Sequence, residues 1–425
     1  MLIYIDESII EQNNIEQIKS NSELLECISN LAKSAINGKH FVFSTKKVLN
    51  TLSKIEQLSE NDRKTFKKIE GKFSFIGYIM NCVKAYINVC FDLPDNKIEP
   101  ERTLKDEKTV FNIPLKYLSK VDILSKTCLV SEDLNDCKFY KRLTSIVMRN
   151  KELAYFKFDL DNINGGGENT YENYENTIEE NKICIAIVDS DKKSINAELG
   201  QTAKKLKKAY RKYENNYITF IHELEVREKE NLIPINIYDT CYNENDDVKC
   251  SLNVLMQIYG NDELKSRYYY GDIKDGLKID EENEVINFID ENIDTWIEEG
   301  IVSPCLVNTI GTAFEMAGYN PHFEYKKEPD INDKKKFIYG ISKVYQKFQS
   351  EYLEEKYKEK IKTKEKYVDE NPENEEAKRD LDNFKKKFID LDKATSELSP
   401  EYKEWWDKIG EMVFSWGCFY QVKPL

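Results

Sequence analysis

Two aspartates directly follow an apolar segment in the middle of the chain, and their position suggests a cation site. Residues 183–188 carry no charge, and Asp189, Ser190 and Asp191 come immediately after them. A short apolar run of this kind is typical of a buried strand. Carboxylates resist burial unless they are paired or bind a cation. Side chains two residues apart on a strand point to the same face, so we expect the two carboxylates to converge on one spot.

Further acidic residues lie at or after the ends of other predicted strands in the same region. Glu132 lies near the end of an apolar run, and Asp136 comes one helical turn later. Glu228 and Glu230 follow the apolar run that begins at residue 217. In open parallel sheets, ligands bind beyond the carboxyl ends of the strands. Carboxylate oxygens suit Mg²⁺ or Mn²⁺, and two such ions activate water and stabilise the leaving oxygen of a phosphodiester.

The region 121–245 alternates short apolar runs with amphipathic segments, which predicts an α/β unit with a parallel sheet. Four segments are predicted to be strands: TCLVSED, LAYFKFDL, ICIAIVDSD and YITFIHELEV. Helices are predicted over 134–148, 171–180 and 201–213, and a glycine triplet at 165–167 follows the second strand. This organisation would bring acids that are distant in sequence to one edge of a sheet.

The flanking regions are predicted to be mainly helical. Residues 1–120 contain one opening strand at 2–5, a second candidate at 40–44 and a buried helix over 73–91. The acids Asp6 and Glu7 after the first strand would suit a nuclease of the PIN type, but later acids at recognisable spacing are missing. That absence favours a surface turn.

In the C-terminal region 246–425 we predict two long charged helices within 343–391, joined by a turn at Asn371-Pro372. Opposite charges at helical spacing support this hairpin. An aromatic amphipathic helix over 404–419 is predicted to serve as core or as a docking surface.

Composition narrows the chemistry further. The 425 residues carry a net charge of −14, which argues against strong nonspecific DNA binding, and contain three histidines and ten cysteines without a CxxC pair. A zinc ribbon, a histidine-rich metal site and a Ser-His-Asp hydrolase are therefore not expected. No apolar run of eighteen residues and no signal-peptide pattern occur in the sequence, so we expect a cytoplasmic protein without membrane association. If the chain performs chemistry, carboxylates are expected to carry it.

The order of a strand-end glutamate, a glycine turn and a strand-end DxD resembles the Toprim domain over residues 126–240, about a quarter of the chain. LVSEDLNDCKFY looks like the opening strand and helix of that family, with Glu132 as its signature glutamate. The usual next residue, glycine, is Asp133 here. IVDSDKK fits the DxD motif. VREKENLIP is similar to an Arg-Glu-x-Glu-Asn segment of Toprim nucleases of the overcoming-lysogenization-defect type.

The resemblance implies a Toprim-like Rossmannoid unit between helical regions, and a metal site whose ligands are Glu132, Asp136, Asp189 and Asp191, with Glu228 or Glu230 completing it. We expect catalysis to involve Glu132, Asp189 and Asp191, and Lys192 to stabilise charge because it directly follows the DxD. The implied function is a Mg²⁺- or Mn²⁺-dependent endonuclease of a bacterial anti-phage defence system, acting on DNA or RNA. No GxxxxGK[ST] motif occurs, so the resemblance implies a separate ATPase partner. Homo-oligomerisation stays open.

Three other interpretations remain open from the sequence. The chain is compatible with a non-catalytic interaction subunit that keeps the Toprim fold, and the replacement of the usual glycine by Asp133 favours this slightly. A small-molecule phosphotransferase or phosphatase would also use acids with magnesium. Finally, the acids would serve only as helix caps in an ordinary α/β domain.

Overall fold

The computed structural model describes residues 1–242, 244, 246–278, 283–327, 336–353 and 356–422. The chain forms two compact units that alternate along the sequence. The first unit comprises Met1–Val188, Gln201–Glu223 and the end of the chain from Trp406. The second comprises Asp189–Gly200 and Leu224–Trp405.

The first unit contains a five-stranded sheet with the strands β1 (Leu2–Ile5), β2 (Phe41–Ser44), β3 (Ala85–Cys90), β4 (Glu101–Lys105) and β5 (Lys108–Pro114), in the order β2-β1-β3-β5-β4. All neighbours are parallel except β4, which runs antiparallel to β5 at the edge. The intervening helices are Gln12–Ser20, Ser22–Ile36, Lys46–Leu52, Glu60–Gly71, Phe73–Ile76 and Ile79–Cys82. Short 3₁₀ turns occupy Glu7–Ile10, Pro94–Asn96 and Leu115–Ser119.

Only two of these five strands, at 2–5 and 40–44, were predicted from the sequence. The predicted long helix over 73–91 is wrong, because only two short helical turns precede β3. Short apolar runs do not distinguish a buried strand from a buried helix by periodicity alone. The β-branched and aromatic residues Tyr86, Ile87 and Val89 favour a strand, and neighbouring strands bury them on both sides.

A second sheet in the same unit contains β6 (Cys128–Ser131), β8 (Asp161–Asn164), β9 (Cys184–Val188) and β10 (Thr219–Glu223), all parallel, in the order β10-β9-β6-β8. Its helices are Leu134–Asn150, Thr170–Glu179 and Gln201–Tyr213, and a 3₁₀ turn lies at Gly167–Asn169. The predicted α/β unit with a parallel sheet is thus confirmed. One strand was misplaced: in LAYFKFDL only β7 (Lys157–Phe158) is extended, and it pairs with β11 (Cys418–Phe419) outside this sheet.

The aromatic helix Pro400–Gly417 contributes core residues to the first unit along its C-terminal half. Trp416 is buried between Phe111 of β5, at 5.5 Å between ring centroids, and Phe220 of β10, at 6.4 Å. The side chains of Trp406 and Phe414 are also buried, so this half of the helix contributes to the core. Within the described residues, no helix has the length and apolar content needed to cross a membrane.

The second unit is helical. It contains Ile235–Cys241, Asp247–Gly260, Lys265–Tyr270, Asn283–Glu298, Pro304–Met316, Ser342–Lys347, Lys356–Glu370 and Glu375–Ser396, with a 3₁₀ turn at Lys229–Leu232 and a π turn at Phe348–Leu353. The predicted charged hairpin is confirmed as Lys356–Glu370 and Glu375–Ser396. Asn374 caps the second of these helices by accepting a hydrogen bond from the Ala377 amide at 3.0 Å. Buried Tyr357 and Phe388 stack at 4.2 Å inside the hairpin.

Candidate functional site

Two of the predicted acidic residues directly follow the ends of neighbouring strands in the second sheet. β6 and β9 are adjacent and parallel, with Leu129 opposite Ile185 and Val130 opposite Ala186. The segments that follow these two strands therefore leave the sheet at the same edge. Glu132 is the first residue after β6. The chain enters the second unit directly after β9, at Asp189.

The glycine triplet holds the main chain around Glu132. The amides of Gly166 and Gly167 donate to the Glu132 carbonyl at 2.9 and 3.2 Å, and the Gly165 amide donates to the Ser131 carbonyl at 2.7 Å. Gly166 and Gly167 have φ values of +75° and +63°, which residues with a Cβ atom rarely adopt. A Cβ on Gly165 would lie 2.5 Å from the Ser131 carbonyl oxygen. Gly165 must therefore be small because it lies against the end of β6, whereas Gly166 and Gly167 are favoured by their positive φ values.

Asp133 and Asp136 start the helix Leu134–Asn150. They form a reciprocal capping box in which the Asp133 amide donates to Asp136 Oδ2 at 3.1 Å and the Asp136 amide donates to Asp133 Oδ1 at 3.2 Å. Asp133 therefore serves as a helix cap. Asp136 has a structural role at this helix start, and its part in metal binding stays a prediction.

The two aspartates of the DxD segment do not continue the strand, which corrects the expectation that alternation aims them at one spot. β9 ends at Val188, and Asp191 has a φ of +52°. The amides of Ser190 and Asp191 both donate to the Arg227 carbonyl at 3.0 Å, so the segment is a turn anchored on residue 227. A Cβ on Gly200 would lie 2.3 Å from Asp191 Oδ2. The Asp191 side chain therefore packs against this glycine, and Asp191 itself is exposed.

Within the second unit, Asp189 lies next to the segment that contains Glu228 and Glu230. Asp189 Oδ1 accepts a hydrogen bond from the Lys229 amide at 3.1 Å. Glu230 is only 2% exposed. Its Oε1 lies 3.4 Å from Lys229 Nζ and 3.8 Å from Lys274 Nζ. Its Oε2 has no hydrogen-bond partner in the part of the chain that the structure describes. A cation or a proton would satisfy this buried oxygen.

Glu228 is the third member of this cluster, and Asp189, Glu228 and Glu230 are called the acidic group below. Its amide donates to Asn231 Oδ1 at 3.1 Å, in a reciprocal cap of the turn Lys229–Leu232. Its Oε1 accepts from Arg227 Nε at 3.0 Å, and Arg227 also lies 3.4 Å from Asp272.

Two lysines of this group were not predicted as site residues. Lys229 lies within the quoted VREKENLIP segment, but Lys274 comes from a separate part of the chain with no motif of its own. Burial alone would lower the pKa of Lys274. Glu230 first, then Glu228 and Asp189, outweigh burial and Lys229, so its pKa is raised. The ammonium group of Lys274 is thus held charged among the acids. Lys192, the predicted charge-stabilising residue, donates its amide to Ser190 Oγ at 3.3 Å.

The donor chemistry of this group fits a hard divalent cation, because its acidic side chains offer carboxylate oxygens. In the described ranges, no three His, Cys, Asp or Glu side chains lie close enough together to hold a metal ion as they stand. The ammonium groups of Lys229 and Lys274 neutralise part of the acidic charge. Glu230 Oε2, which has no partner among the described residues, is the atom at which a further cation would be stabilised.

No protein-family model matches the chain, and neither the curated proteins nor the solved structures contain a match.

Replacing Glu228 by glutamine is expected to stabilise the protein at neutral pH. Burial, followed by the charges of Glu230 and Asp272, raises the pKa of Glu228 above its ordinary 4.5 despite Arg227. Deprotonation therefore costs more in the folded state than in the unfolded chain, and the stability of the wild type falls as the pH rises from 4.5 through the raised pKa.

The measurement is urea unfolding at intervals from pH 4 to 8. E228Q should gain stability relative to wild type as the pH rises, whereas E263Q, an exposed control in the same unit, should follow the wild type. A loss of stability in E228Q that grows with pH would contradict the argued sign.

Proposed function

We propose that the chain is a metal-dependent endonuclease of the Toprim type that cleaves nucleic-acid phosphodiesters. The observation that supports this most directly is the acidic group of the second unit. It joins Asp189, which directly follows a parallel strand, to a buried Glu230 with an unpartnered oxygen. Lys229 and Lys274 pair with the other oxygen of this carboxylate, so one buried oxygen is left unsatisfied among the described residues. Buried polar atoms without a partner are rare and are often found at functional sites.

Asp189, Glu228 and Glu230 are the residues that would hold a divalent ion. The part of Glu132 in metal binding stays a prediction. When bound, Mg²⁺ or Mn²⁺ supplies an activated water and neutralises charge at the leaving oxygen. The chain's own cations do the remaining electrostatic work. In this proposal Lys274 and Lys192 donate hydrogen bonds to phosphate oxygens. Arg227 holds Glu228 in position through its 3.0 Å contact.

A substrate panel tests this proposal. Purified protein is incubated with supercoiled plasmid, single-stranded DNA and tRNA in Mg²⁺, Mn²⁺ or EDTA. We expect the protein to cleave at least one of these polymers in Mg²⁺ or Mn²⁺ and none of them in EDTA. Hydrolysis of p-nitrophenyl phosphate without polymer cleavage would favour a small-molecule phosphatase instead.

A non-catalytic interaction subunit remains the second candidate. It is favoured by the absence, among the described residues, of three acids already grouped for a metal, and by the structural use of Asp136 in the capping box. Calorimetric titration with Mn²⁺ distinguishes the two functions. A non-catalytic interaction subunit would bind no divalent ion, whereas a nuclease would bind one or two.

We further propose that a separate ATPase restrains the nuclease in an anti-phage system and docks on the charged hairpin. Deletion of residues 343–391 would test this, but it would also remove the buried residues Phe348, Tyr352 and Leu391 and so destabilise the second unit. The exposed side chains Tyr367 and Ile389, at 51% and 67% exposure, offer a milder test.

The variant Y367E/I389E is expected to lose co-purification with the partner from the native operon while keeping its melting temperature. I297E, which alters a 42% exposed isoleucine of the same unit, is the matched control and should keep the partner. If wild type and variant retain the same proteins, the hairpin is not the docking surface.

A further inference from the structure

A cavity of about 860 Å³ lies on the five-stranded sheet of the first unit. Its lining combines aromatic rings, amides, hydroxyls and two charges, contributed by Tyr4, Asp6, Phe43, Ser44, Thr45, Phe73, Ser74, Gly77, Tyr78, Met80, Asn81, Tyr86, Asn88, Thr103, Lys105, Val110 and Asn112. Its volume falls in the range of small-molecule sites. None of the predicted metal ligands belongs to this lining, so the cavity is independent of the acidic group.

The cavity lies where the strand order of the sheet reverses. After β1 the chain goes to β2 on one side of β1, and then returns to β3 on the other side. The crevice between β1 and β3 is therefore the topological switch point, the place where open α/β sheets bind ligands. Asp6 immediately follows β1, and Thr45 immediately follows β2.

The floor of the cavity is one level row across four parallel strands. Phe43 pairs with Tyr4, Tyr4 pairs with Asn88, and Asn88 pairs with Asn112. Strands of parallel sheets are usually apolar on both faces, and asparagine is depleted in strands. Two adjacent asparagines at the centre of this sheet are therefore unusual. Residues that break such local preferences are often found at functional sites.

Hydrogen bonds fix the orientation of these amides. Asn88 Nδ2 donates to Asn112 Oδ1 at 2.9 Å, and Asn112 Nδ2 donates to Thr103 Oγ1 at 3.0 Å. Asn88 Nδ2 also donates to Cys90 Sγ at 3.3 Å. Each amide has two N–H donors and two acceptor lone pairs, so the Asn88 oxygen and the second N–H of Asn112 are left for a ligand. The cavity floor therefore presents oriented donors and acceptors to a ligand.

Aromatic rings form the walls. Phe73 stacks on Phe43 at 5.2 Å with an angle of 27° between the rings. Tyr78, in the segment between the helices Phe73–Ile76 and Ile79–Cys82, lines the cavity although it is 53% exposed. Rings of this kind stack on flat ligands.

The charges of the lining balance. Asp6 and Lys105 are one acid and one base among the seventeen lining residues, and Asp6 Oδ1 already accepts a hydrogen bond from the Ser8 amide at 2.9 Å. A polyphosphate would need a concentration of positive charge, and a metal site would need several acids. The lining suits an uncharged planar heterocycle with hydrogen-bonding edges.

We propose that this cavity binds a nucleobase, stacked on Tyr78 and read by the amides of Asn88 and Asn112. The base comes either from a free nucleoside or from a single-stranded nucleic acid. The proposal goes beyond the nuclease activity and stands without it, since no residue is shared with the acidic group.

Calorimetric titration tests the cavity with adenosine, guanosine, cytidine and uridine, and with mixed-sequence eight-nucleotide DNA and RNA strands. EDTA is present throughout, so that binding at a metal-dependent site does not contribute. We expect at least one of these probes to bind. Tighter binding of the strands identifies a nucleic acid as the source of the base, and binding of nucleosides alone identifies a free metabolite.

Y78A should weaken the binding roughly 5- to 100-fold, the range expected for the loss of one stacking ring. Because Tyr78 is half exposed, this variant should fold normally. Y155A, which removes a tyrosine of 54% exposure outside the cavity lining, is the matched control and should bind like wild type.

N88A should weaken binding and alter the preference among the four bases. The proposal is overturned if no probe binds at millimolar concentration, or if Y78A and N88A bind with wild-type affinity and preference. Equal weakening in Y78A and Y155A would also overturn it, because stacking in the cavity would then not be the cause.

Discussion

Replacing Asp189 by asparagine is expected to reduce metal-dependent cleavage by roughly 10²- to 10³-fold or more, the scale seen when a group that stabilises transition-state charge is removed. Asparagine keeps the size of the side chain and an oxygen that accepts the Lys229 amide. It removes the charge that would attract a divalent ion. The loss should therefore be chemical and not a consequence of unfolding.

Thermal melting is the companion measurement. D189N should melt at the wild-type temperature or above it, because removal of one of several neighbouring carboxylates relieves repulsion in the metal-free state. E132Q tests the predicted catalytic role of Glu132 in the same assay. D262N, at an exposed aspartate of the second unit, is the control and should cleave normally. Wild-type rates for both D189N and E132Q would remove these residues from the site.

The largest expected effect on stability comes from Trp416. Replacement by alanine should destabilise the first unit by about 3–5 kcal/mol, the usual cost of truncating a fully buried large aromatic side chain. Trp416 is 2% exposed and touches rings from both sheets, Phe111 in β5 and Phe220 in β10. Its loss would leave a cavity between the two sheets, and a domain of marginal stability has little reserve against such a loss.

Far-UV circular dichroism during heating measures the effect. W416F keeps an aromatic ring and should lose less stability than W416A. F75A removes an aromatic ring that is 66% exposed in the same unit, and its melting temperature should stay near wild type. A similar melting temperature for W416A and F75A would mean that the Trp416 contacts do not support the core.

The sequence predicted the second sheet well because its signals are local. β9 is a continuous apolar run, and the helix Gln201–Tyr213 has lysines on one side and buried Ala203, Leu206 and Ala209 on the other. Such patterns specify the type of element without any knowledge of its neighbours. The charged hairpin was predictable for the same reason, since its ion pairs lie at helical spacing or across a short turn, as between Lys385 and Glu365 at 2.8 Å.

The parts that the sequence did not predict depend on contacts distant along the chain. β3 is a strand because β1 and β5 flank it, whereas its own residues are also compatible with a buried helix. Asp191 turns away from the strand because the Arg227 carbonyl binds the DxD turn and Gly200 accommodates the side chain. Lys274 joins the acidic group through tertiary folding alone, and no spacing rule connects it to Glu230.

The interleaving of the two units has a consequence for protein synthesis. Trp416 and β11 belong to the first unit, yet they are translated after the entire second unit. A ribosome that has made residues 1–223 has therefore produced both sheets of the first unit without the ring that packs between them. Domains usually fold in the order of their synthesis, but this unit completes its core only when the last segment arrives. Nascent and prematurely terminated chains should thus lack a finished core.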